Sequence, residues 1–524
     1  TGADQIATFS FGIDTRYTIG TKFAVFSDFE SLVGGTQTDT FAFTGSANHS
    51  GTLNGGSGAG SDILDFGGYG SDVLINLQTA TVTGLIGTFS DFENYDGTTA
   101  HTDTLIGANT TNTFNITSHN AGDVNGTFNF TEVENLTGGT LGDTFAFITS
   151  GDLSGDIDGA GGSNTIDFAS YTAGPITLNL QATTTTALGG TYANIQTLIG
   201  SSLSDILIGL TAGNTFHVSG TNSGVVNSTF TFSAIENLIG SSGVDIFDID
   251  SGVSFNGHMD GKSNDDILTY AAYTSAVNIT LTAKGDVDGF AGSGTGFAVG
   301  GTFTNIDILF GGSNSDTLIG ADLISTWQLD STYPDQYMVD SNTLNFSAFE
   351  ILTGGSLADT FNLAGTPAYN LNGSDGADSF VFADGATLTG SINGGIGLAD
   401  TLDYSAYTIV VNINLAANTS TNVSAGVSGI ENLIGGSAGD TLIGDGGNNI
   451  ITGNGGNDIL QGAAGNDTYL FGNGWDTDTV TDTAGIDTLD FSAVTNTYNL
   501  TVDLALLNVT DGSNNVNFTG INII

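Results

Sequence analysis

The sequence predicts an all-β fold: a parallel β-solenoid (a β-roll or β-helix) in which coils of about 20 residues stack within repeats of about 102 residues. Three observations predict it. Three short phrases recur in a fixed order, their turn residues are spaced close to multiples of twenty, and a run of nine-residue glycine-and-aspartate repeats comes after them. The segments between turns alternate apolar with polar residues and are rich in β-branched and aromatic side chains, which is typical of strands.

Each phrase places an Asp, or once an Asn, directly before a short apolar segment. The first phrase joins a Glu-containing segment, such as Phe29-Glu30-Ser31-Leu32, to Asp-Thr-Phe or Asp-Ile-Phe. The turn residues are Asp39, Asp143, Asp245 and Asp359 in the first phrase, Asp62, Asn164, Asp266 and Asp400 in the second, and Asp103, Asp205, Asp316 and Asp440 in the third. Because each coil of a solenoid returns to the same register, this spacing favours continuous winding. An array of β-sandwich domains of about 100 residues each remains the alternative.

The order of the phrases divides the chain into repeats. The boundaries are 1–107, 108–209, 210–320 with an inserted loop near Ala283 to Gly296, and 321–434, followed by a nonapeptide β-roll at 435–470 and a segment at 471–524 that begins a further repeat.

The nonapeptides carry the most specific signal. From Gly435 onward, the sixth position of each nonapeptide is Asp440, Asn449, Asp458 and Asp467 in turn. Two nonapeptides close one coil, so Asp440 is expected to stack on Asp458, and Asn449 on Asp467. Carboxylates stacked about 4.8 Å apart repel each other unless a cation lies between them. Calcium accepts six to eight oxygen ligands, and glycine lets turn carbonyls supply those that the carboxylates do not.

The sequence therefore predicts that several Ca²⁺ ions bind along the turns. The candidate ligands are Asp440, Asn449, Asp458 and Asp467, with Gly456, Asn457, Gly465 and Asn466 of the nonapeptide turns, and, in the degenerate repeats, Asp39, Asp62, Asp103, Asp143, Asp205, Asp245, Asp266, Asp316, Asp359 and Asp400. Asp, Asn and Gly also favour turns that bind no metal. That alternative stays open above all for the degenerate positions, where many glycines are missing.

The nonapeptides resemble the repeats of the RTX (hemolysin-type) family of secreted proteins, whose pattern is Gly-Gly-x-Gly-x-Asp-x-apolar-x. The segment Tyr469-Leu470-Phe471-Gly472, continuing to Asp487-Thr488-Leu489-Asp490-Phe491, is similar to the segment after the last nonapeptides in that family. The long repeats resemble degenerate versions found in giant bacterial surface proteins. The resemblance implies export through a type I channel in an unfolded state, and folding once external calcium is met.

Charge limits the classes of partner. The chain has 55 acidic residues against four Lys and Arg, for a formal net charge of -51. Nucleic acids and anionic membrane surfaces need clustered basic residues, so both are excluded as partners. No apolar run reaches the about 20 residues that span a bilayer. Without cysteine, the fold has no disulfide framework.

The sequence favours an extracellular, calcium-stabilised structural protein, a filament or matrix element, that self-associates head to tail or continues into a longer array. The alternative is the stalk of an adhesin or surface-layer protein. A β-helix enzyme acting on polysaccharides is disfavoured, because four dispersed basic residues cannot form a charge-stabilising cluster. The triplet Asn278-Ile279-Thr280 has the form of a glycan acceptor, although such triplets also arise by chance in a sequence rich in Asn and Thr.

Overall fold

The computed structural model describes residues 4–298, 300–331, 334–397, 399–495 and 500–524. The secondary-structure elements in these ranges are all β-strands, so the fold is all-β as predicted. Within the same ranges, no helix is long and apolar enough to cross a membrane. The chain forms two compact units, one of residues 1–243 with 255–259 and the other of residues 244–254 with 260–524.

In the first unit, one sheet carries most of the long strands. Its strands are Ala7–Phe11, Arg16–Ile19, Lys22–Val25, Asp39–Gly45, Ile63–Tyr69, Asn94–Asp96, Thr113–Ser118, Ala121–Val124, Phe128–Thr131, Thr144–Phe147, Thr165–Asp167, Thr197–Ile199, Thr215–Gly220, Ser223–Val226 and Phe230–Ser233. Shorter strands form its other sheets: Ser31–Val33, His49–Ser50, Thr52–Asn54, Leu74–Asn76, Thr81–Val82, Leu85–Ile86, Phe89–Ser90, Thr104–Ile106, Asn135–Thr137, Ile157–Asp158, Thr177–Asn179, Thr184–Thr185, Tyr192–Ala193, Ile206–Ile208 and Asn237–Ser241. The strand His258–Lys262 has residues in both units.

The second unit is built in the same way. One sheet has the strands Ile246–Ile249, Ile267–Thr269, Ile308–Phe310, Ser325–Asp330, Asp335–Val339, Asn342–Ser347, Asp359–Ala364, Ser379–Phe382, Thr401–Asp403, Asn432–Ile434, Ile450–Thr452, Thr468–Leu470 and Thr488–Asp490. The remaining strands are Asn278–Lys284, Phe290–Gly294, Thr302–Ile306, Thr317–Ile319, Ile351–Thr353, Asn370–Asn372, Ile392–Asn393, Asn412–Asn414, Thr419–Ser420, Val427–Ser428, Thr441–Ile443, Ile459–Gln461, Thr477–Thr481, Thr501–Asp503, Asn508–Thr510 and Asn515–Thr519.

Most neighbouring strands are parallel and in register, as a solenoid requires. In the nonapeptides, Thr441 pairs with Ile459, and Ile450 pairs with Thr468. Hydrogen-bonded turn residues of successive coils lie 18 residues apart there, and 21 apart between Asp143 and Asn164. Other coils are longer, up to 41 residues between Asp266 and Asp307. Coils of 18 to about 21 residues are therefore the shortest form of the repeat, and longer coils carry additional strands.

A three-stranded antiparallel meander recurs near the start of each large repeat. In the second repeat it consists of Thr113–Ser118, Ala121–Val124 and Phe128–Thr131. Corresponding meanders occupy Ala7–Phe11 to Lys22–Val25, Thr215–Gly220 to Phe230–Ser233, and Ser325–Asp330 to Asn342–Ser347. The residues expected as an inserted loop near Ala283 to Gly296 also lie in a meander, made of Asn278–Lys284, Phe290–Gly294 and Thr302–Ile306.

Stacked aromatic rings fill the core. Phe43 lies between Phe11 and Phe66, with ring centroids 4.4 and 4.6 Å apart and nearly parallel planes. In the second unit Phe361 stacks on Phe380 at 5.0 Å. Because in-register parallel strands place equivalent side chains on top of one another, a recurring Phe becomes a continuous buried row. Stacking of these rings holds successive coils in register, and the turns of successive coils therefore lie above one another.

Candidate calcium-binding turns

The turn aspartates form hydrogen-bonded ladders. Each Asp directly precedes or begins a strand, is buried, and donates its backbone N–H to the side chain of the equivalent residue one coil further on. In the nonapeptides Asp440 N donates to Asp458 Oδ1 at 2.7 Å, and Asn449 N donates to Asp467 Oδ1 at 2.7 Å. The stacking predicted from the 18-residue spacing is therefore present. A carboxylate that accepts an amide proton is stabilised in its charged form, so the ladder itself offsets part of the repulsion.

The ladders continue past the nonapeptides and through the degenerate repeats. Beyond the last nonapeptide, Asp458 N donates to Asp478 Oδ1 at 2.9 Å and Asp467 N to Asp487 Oδ1 at 3.0 Å. Equivalent bonds join Asp39 to Asp62, Asp143 to Asn164, Asp245 to Asp266, Asp359 to Asp378 and Asp378 to Asp400. A Glu accepts the bond at other steps: Glu93 from Asp62, Glu134 from Asp103, Glu236 from Asp205, Glu350 from Asp316 and Glu431 from Asp400.

In one class of turn, which we name closed, the second carboxylate oxygen is also satisfied by backbone. The amide of the residue four positions earlier donates to Oδ2, at 2.6 Å from Gly139 to Asp143 and at 2.6 Å from Gly436 to Asp440. The other closed turns are those of Asp39, Asp205, Asp316 and Asp359. Their carboxylates are thus held by two hydrogen-bond donors each, which offsets part of the cost of burying the charge.

A second class of turn, which we name open, leaves Oδ2 without such a donor. In the open turns of Asp458 and Asp467, the residue four positions earlier has a left-handed backbone, with φ 66° at Asn454 and 83° at Ala463. The turns of Asp266 and Asp378 have the same feature, with φ 80° at both Lys262 and Ser374. Buried Oδ2 atoms that accept no hydrogen bond from the described residues belong to Asp266, Asp378, Asp400, Asp458, Asp467, Asp478 and Asp487.

These orphaned oxygens fit calcium. An unpaired buried carboxylate oxygen costs free energy, and a hard cation with oxygen ligands removes that cost. In the last nonapeptides and the coil after them, Asp458 and Asp478 on one edge, and Asp467 and Asp487 on the other, would hold the ions. A Cβ on Gly453 would overlap Asp458 Oδ2, so glycine at the first repeat position lets the carboxylate lie against the turn backbone. Calcium bound here would supply the positive charge that the chain lacks.

Burial shifts the titration of the same carboxyl groups. It raises the pKa of Asp458 and of Asp467 to about 6, and that of Asp478 to about 8, with neighbouring carboxylates adding to each shift. In the degenerate repeats, burial raises the pKa of Asp378 to about 7 and that of Asp266 to about 8. Without a cation, the ladder therefore takes up protons near neutral pH.

We expect opposite pH dependences with and without calcium. Folded-state pKa values of about 6 to 8 lie above the unfolded value of 3.8, so calcium-free protein is stabilised by protonation and loses stability as pH rises from about 4 to 8. Calcium competes with those protons, so the calcium-bound protein should gain stability over the same range. Thermal unfolding between pH 5 and pH 8, with calcium and with chelator, measures both slopes. Parallel slopes would contradict this assignment.

The remaining predicted nonapeptide residues have distinct places. Asn457 Oδ1 accepts from Thr477 N at 3.0 Å, and Asn466 Oδ1 accepts from Ile486 N at 2.9 Å. These two side chains thus form a second, outer hydrogen-bonded ladder. Gly456 and Gly465 adopt left-handed backbone, with φ 109° and 120°, and so shape the open turns through conformation. Asn449 accepts from Asp445 N at 3.0 Å, in the manner of a closed turn.

Several turn carboxylates were not among the residues singled out by sequence. Asp478 and Asp487 continue the nonapeptide ladders after the glycine pattern is lost, and Asp378 does so between Asp359 and Asp400. The signal available for Asp487 was its place in a copy of the second phrase. The recurring Glu of the first phrase also had a signal, since Glu134, Glu236 and Glu350 occupy equivalent positions and each accepts a ladder bond.

Comparison with known families agrees with this geometry. Residues 434–469 match the model of the RTX calcium-binding nonapeptide repeat, in four copies. No curated protein matches the chain significantly. The resemblance of this segment to RTX repeats is thereby confirmed, and it implies that the segment binds Ca²⁺.

Proposed function

We propose that the protein is a secreted structural protein whose β-solenoid units form a calcium-stabilised extracellular filament, matrix or surface element. The observation that carries the proposal is the pair of buried carboxylate ladders at residues 440–487, whose open turns present oxygens that accept no hydrogen bond from the described residues. Ions at these positions would hold successive coils together.

Calcium then acts as a folding ligand. In the unfolded chain the turn carboxylates are far apart in sequence and solvated, so the binding site exists only once the coils have stacked. Binding free energy at such a site becomes folding free energy. RTX repeats are typical of secreted bacterial proteins, and extracellular calcium modules work at about 10⁻⁴–10⁻³ M. An extracellular location supplies calcium in that range.

A non-catalytic role is part of the proposal. Arg16, Lys262 and Lys284 each pair with an acid on the same molecule, at 3.0, 2.6 and 2.8 Å, in three separate places. With three of its four basic residues paired to an acid, the chain has little positive charge to stabilise the developing negative charge of a polysaccharide-cleaving reaction. The buried turn aspartates are held in the ladders by backbone hydrogen bonds rather than facing each other across a cleft.

The last part of the proposal is that the protein associates with copies of itself. In the first unit, the strand Lys22–Val25 exposes all four of its side chains, and Phe23 and Val25 are each 59 % exposed. An exposed apolar strand at the end of a meander favours pairing with another chain. The equivalent strand of the second repeat, Phe128–Thr131, pairs in parallel with a strand of the preceding coil, so a coil of a second copy is the partner that we propose for this edge.

Electron microscopy tests the proposal. Protein in millimolar calcium is expected to form filaments or ordered assemblies, and excess chelator is expected to disperse them. Substitution of Phe23→Ser should reduce assembly without changing calcium binding, whereas Thr18→Ser in the neighbouring strand serves as the control. If the calcium-loaded protein appears only as single particles, the filament role is refuted, although calcium binding itself is not.

A further inference from the structure

Three buried aspartates converge just after the last nonapeptide. Asp467 is the sixth residue of that nonapeptide, while Asp482 and Asp487 lie beyond residues 434–469. Each can place one carboxylate oxygen within 4.8 Å of the others, and the three side chains are buried. We name this cluster the tri-aspartate site.

The chain positions each member by different means. Asp467 and Asp487 are successive steps of one ladder, since Asp467 N donates to Asp487 Oδ1 at 3.0 Å. Asp482 follows the strand Thr477–Thr481, and its Oδ1 accepts from Thr483 N at 2.6 Å. Its Oδ2 accepts from the hydroxyl of buried Tyr469 at 2.6 Å, and that hydroxyl accepts from Gly462 N at 2.5 Å. Asp482 is therefore held facing the ladder.

The cluster is short of positive charge. Asp467 and Asp487 are each only 1 % exposed. Their Oδ2 atoms accept no hydrogen bond from the described residues. The sequence contains no Lys or Arg after Lys284. Two orphaned carboxylate oxygens beside a third carboxylate call for a cation that binds oxygen.

Calcium fits this site better than magnesium does. Calcium accepts six to eight oxygen ligands in flexible geometry, whereas magnesium demands near-octahedral geometry and dehydrates reluctantly. Three carboxylates also supply more charge than the two available at a repeat turn, which raises affinity for calcium.

We propose that Asp467, Asp482 and Asp487 form a calcium site that joins the last nonapeptide to the segment after it. The inference rests on the calcium binding of the proposed function and adds Asp482, a ligand outside the nonapeptide pattern. The site connects the turn before Thr468–Leu470 to the strand Thr477–Thr481 and to Thr488–Asp490. Occupancy would therefore order the segment that covers the end of the nonapeptide stack.

Native mass spectrometry and terbium titration of the full chain test the site. Asp482→Asn is expected to bind one calcium ion fewer per chain, with terbium affinity at that site reduced on the order of tenfold or more, because outer-shell changes alone cost about 10- to 100-fold. Asp490→Asn is the matched control: Asp490 accepts from Ser492 N at 2.7 Å outside the cluster, and its ion count should equal that of the wild type. An unchanged number of bound calcium ions in Asp482→Asn would refute the site. A wild-type cluster whose carboxyl groups share a proton and hold no ion would refute it too.

Tyr469→Phe provides a second readout if Asp482→Asn does not fold. Tyr469 touches Asp482 and can transfer excitation to a terbium ion bound there. The variant keeps all three carboxylates, so its ion count should match the wild type while tyrosine-sensitised terbium emission falls. Undiminished emission would contradict the proposal. If the wild-type protein binds no calcium at all, the proposed function fails. If the wild type binds calcium and Asp482→Asn binds the same number of ions, the proposed function stands and the tri-aspartate site is refuted.

Discussion

Removing calcium is expected to lower the melting temperature of the second unit by at least about 10 °C. An ion at 100 times its dissociation constant contributes about 2.7 kcal/mol, so two open turns contribute about 5 kcal/mol. The second unit has 11 residues in 244–254 and 265 in 260–524, so each kcal/mol shifts the midpoint by about 2 °C. The open turns of Asp458 and Asp467 carry this effect, because their Oδ2 atoms have no hydrogen-bond donor among the described residues.

Calorimetry with millimolar calcium, and then with excess chelator, measures this shift. Magnesium at the same concentration is the control, since it dehydrates reluctantly and prefers octahedral geometry. Equal melting temperatures in calcium and in chelator would contradict the account. A shift with magnesium as large as that with calcium would indicate general screening of the negative charge.

Phe380→Ala is expected to destabilise its coil by about 3–5 kcal/mol, the usual cost of deleting a buried aromatic ring. Phe380 is fully buried, stacks on Phe361 at 5.0 Å, and pairs in register with Leu402. The loss should appear as faster amide exchange in the strands Asp359–Ala364 and Thr401–Asp403. Distant coils should change little, because solenoid stability is dominated by nearest neighbours.

Val381→Ala is the matched control for this variant. Val381 is the next residue of the same strand, is only half-buried and lies on the opposite face. Its substitution should cost well under half as much as that of Phe380. Equal effects of the two variants would show that the aromatic row does not determine the stability of the coils.

The stacking of the nonapeptides could be predicted because their period is strict. A nine-residue repeat leaves one register in which all apolar residues face inward, and that register places Asp440 on Asp458. The same holds for the three phrases, since each marks an Asp at the start of a strand. Hydrophobic alternation and turn residues were sufficient for these features.

The meanders could not be predicted from alternation, because a strand looks the same whether its neighbour is parallel or antiparallel. Thr113–Ser118 and Phe128–Thr131 alternate buried and exposed residues as the parallel strands do. A local signal did exist: Asn125 and Gly126, with φ 58° and 68°, are the central residues of the turn in which Thr127 N donates to Val124 O, and Asn-Gly favours such turns.

The difference between closed and open turns depends on backbone conformation that residue types do not fix. Gly436 donates to Asp440 in a closed turn, whereas Asn454 and Ala463 adopt left-handed backbone in open turns. Glycine would tolerate either conformation, so a Gly-Gly pair does not predict which class forms. Asp482 was missed for a related reason, since it belongs to no repeat and only the fold brings it to Asp467.

The central claim is that calcium binds to the open turns of the nonapeptides. A crystal structure of the protein grown in calcium, with anomalous data, tests it most directly. The account predicts anomalous peaks within calcium–oxygen distance of Asp458 Oδ2 and Asp467 Oδ2. Ordered turns with no anomalous peak beside either oxygen would contradict it.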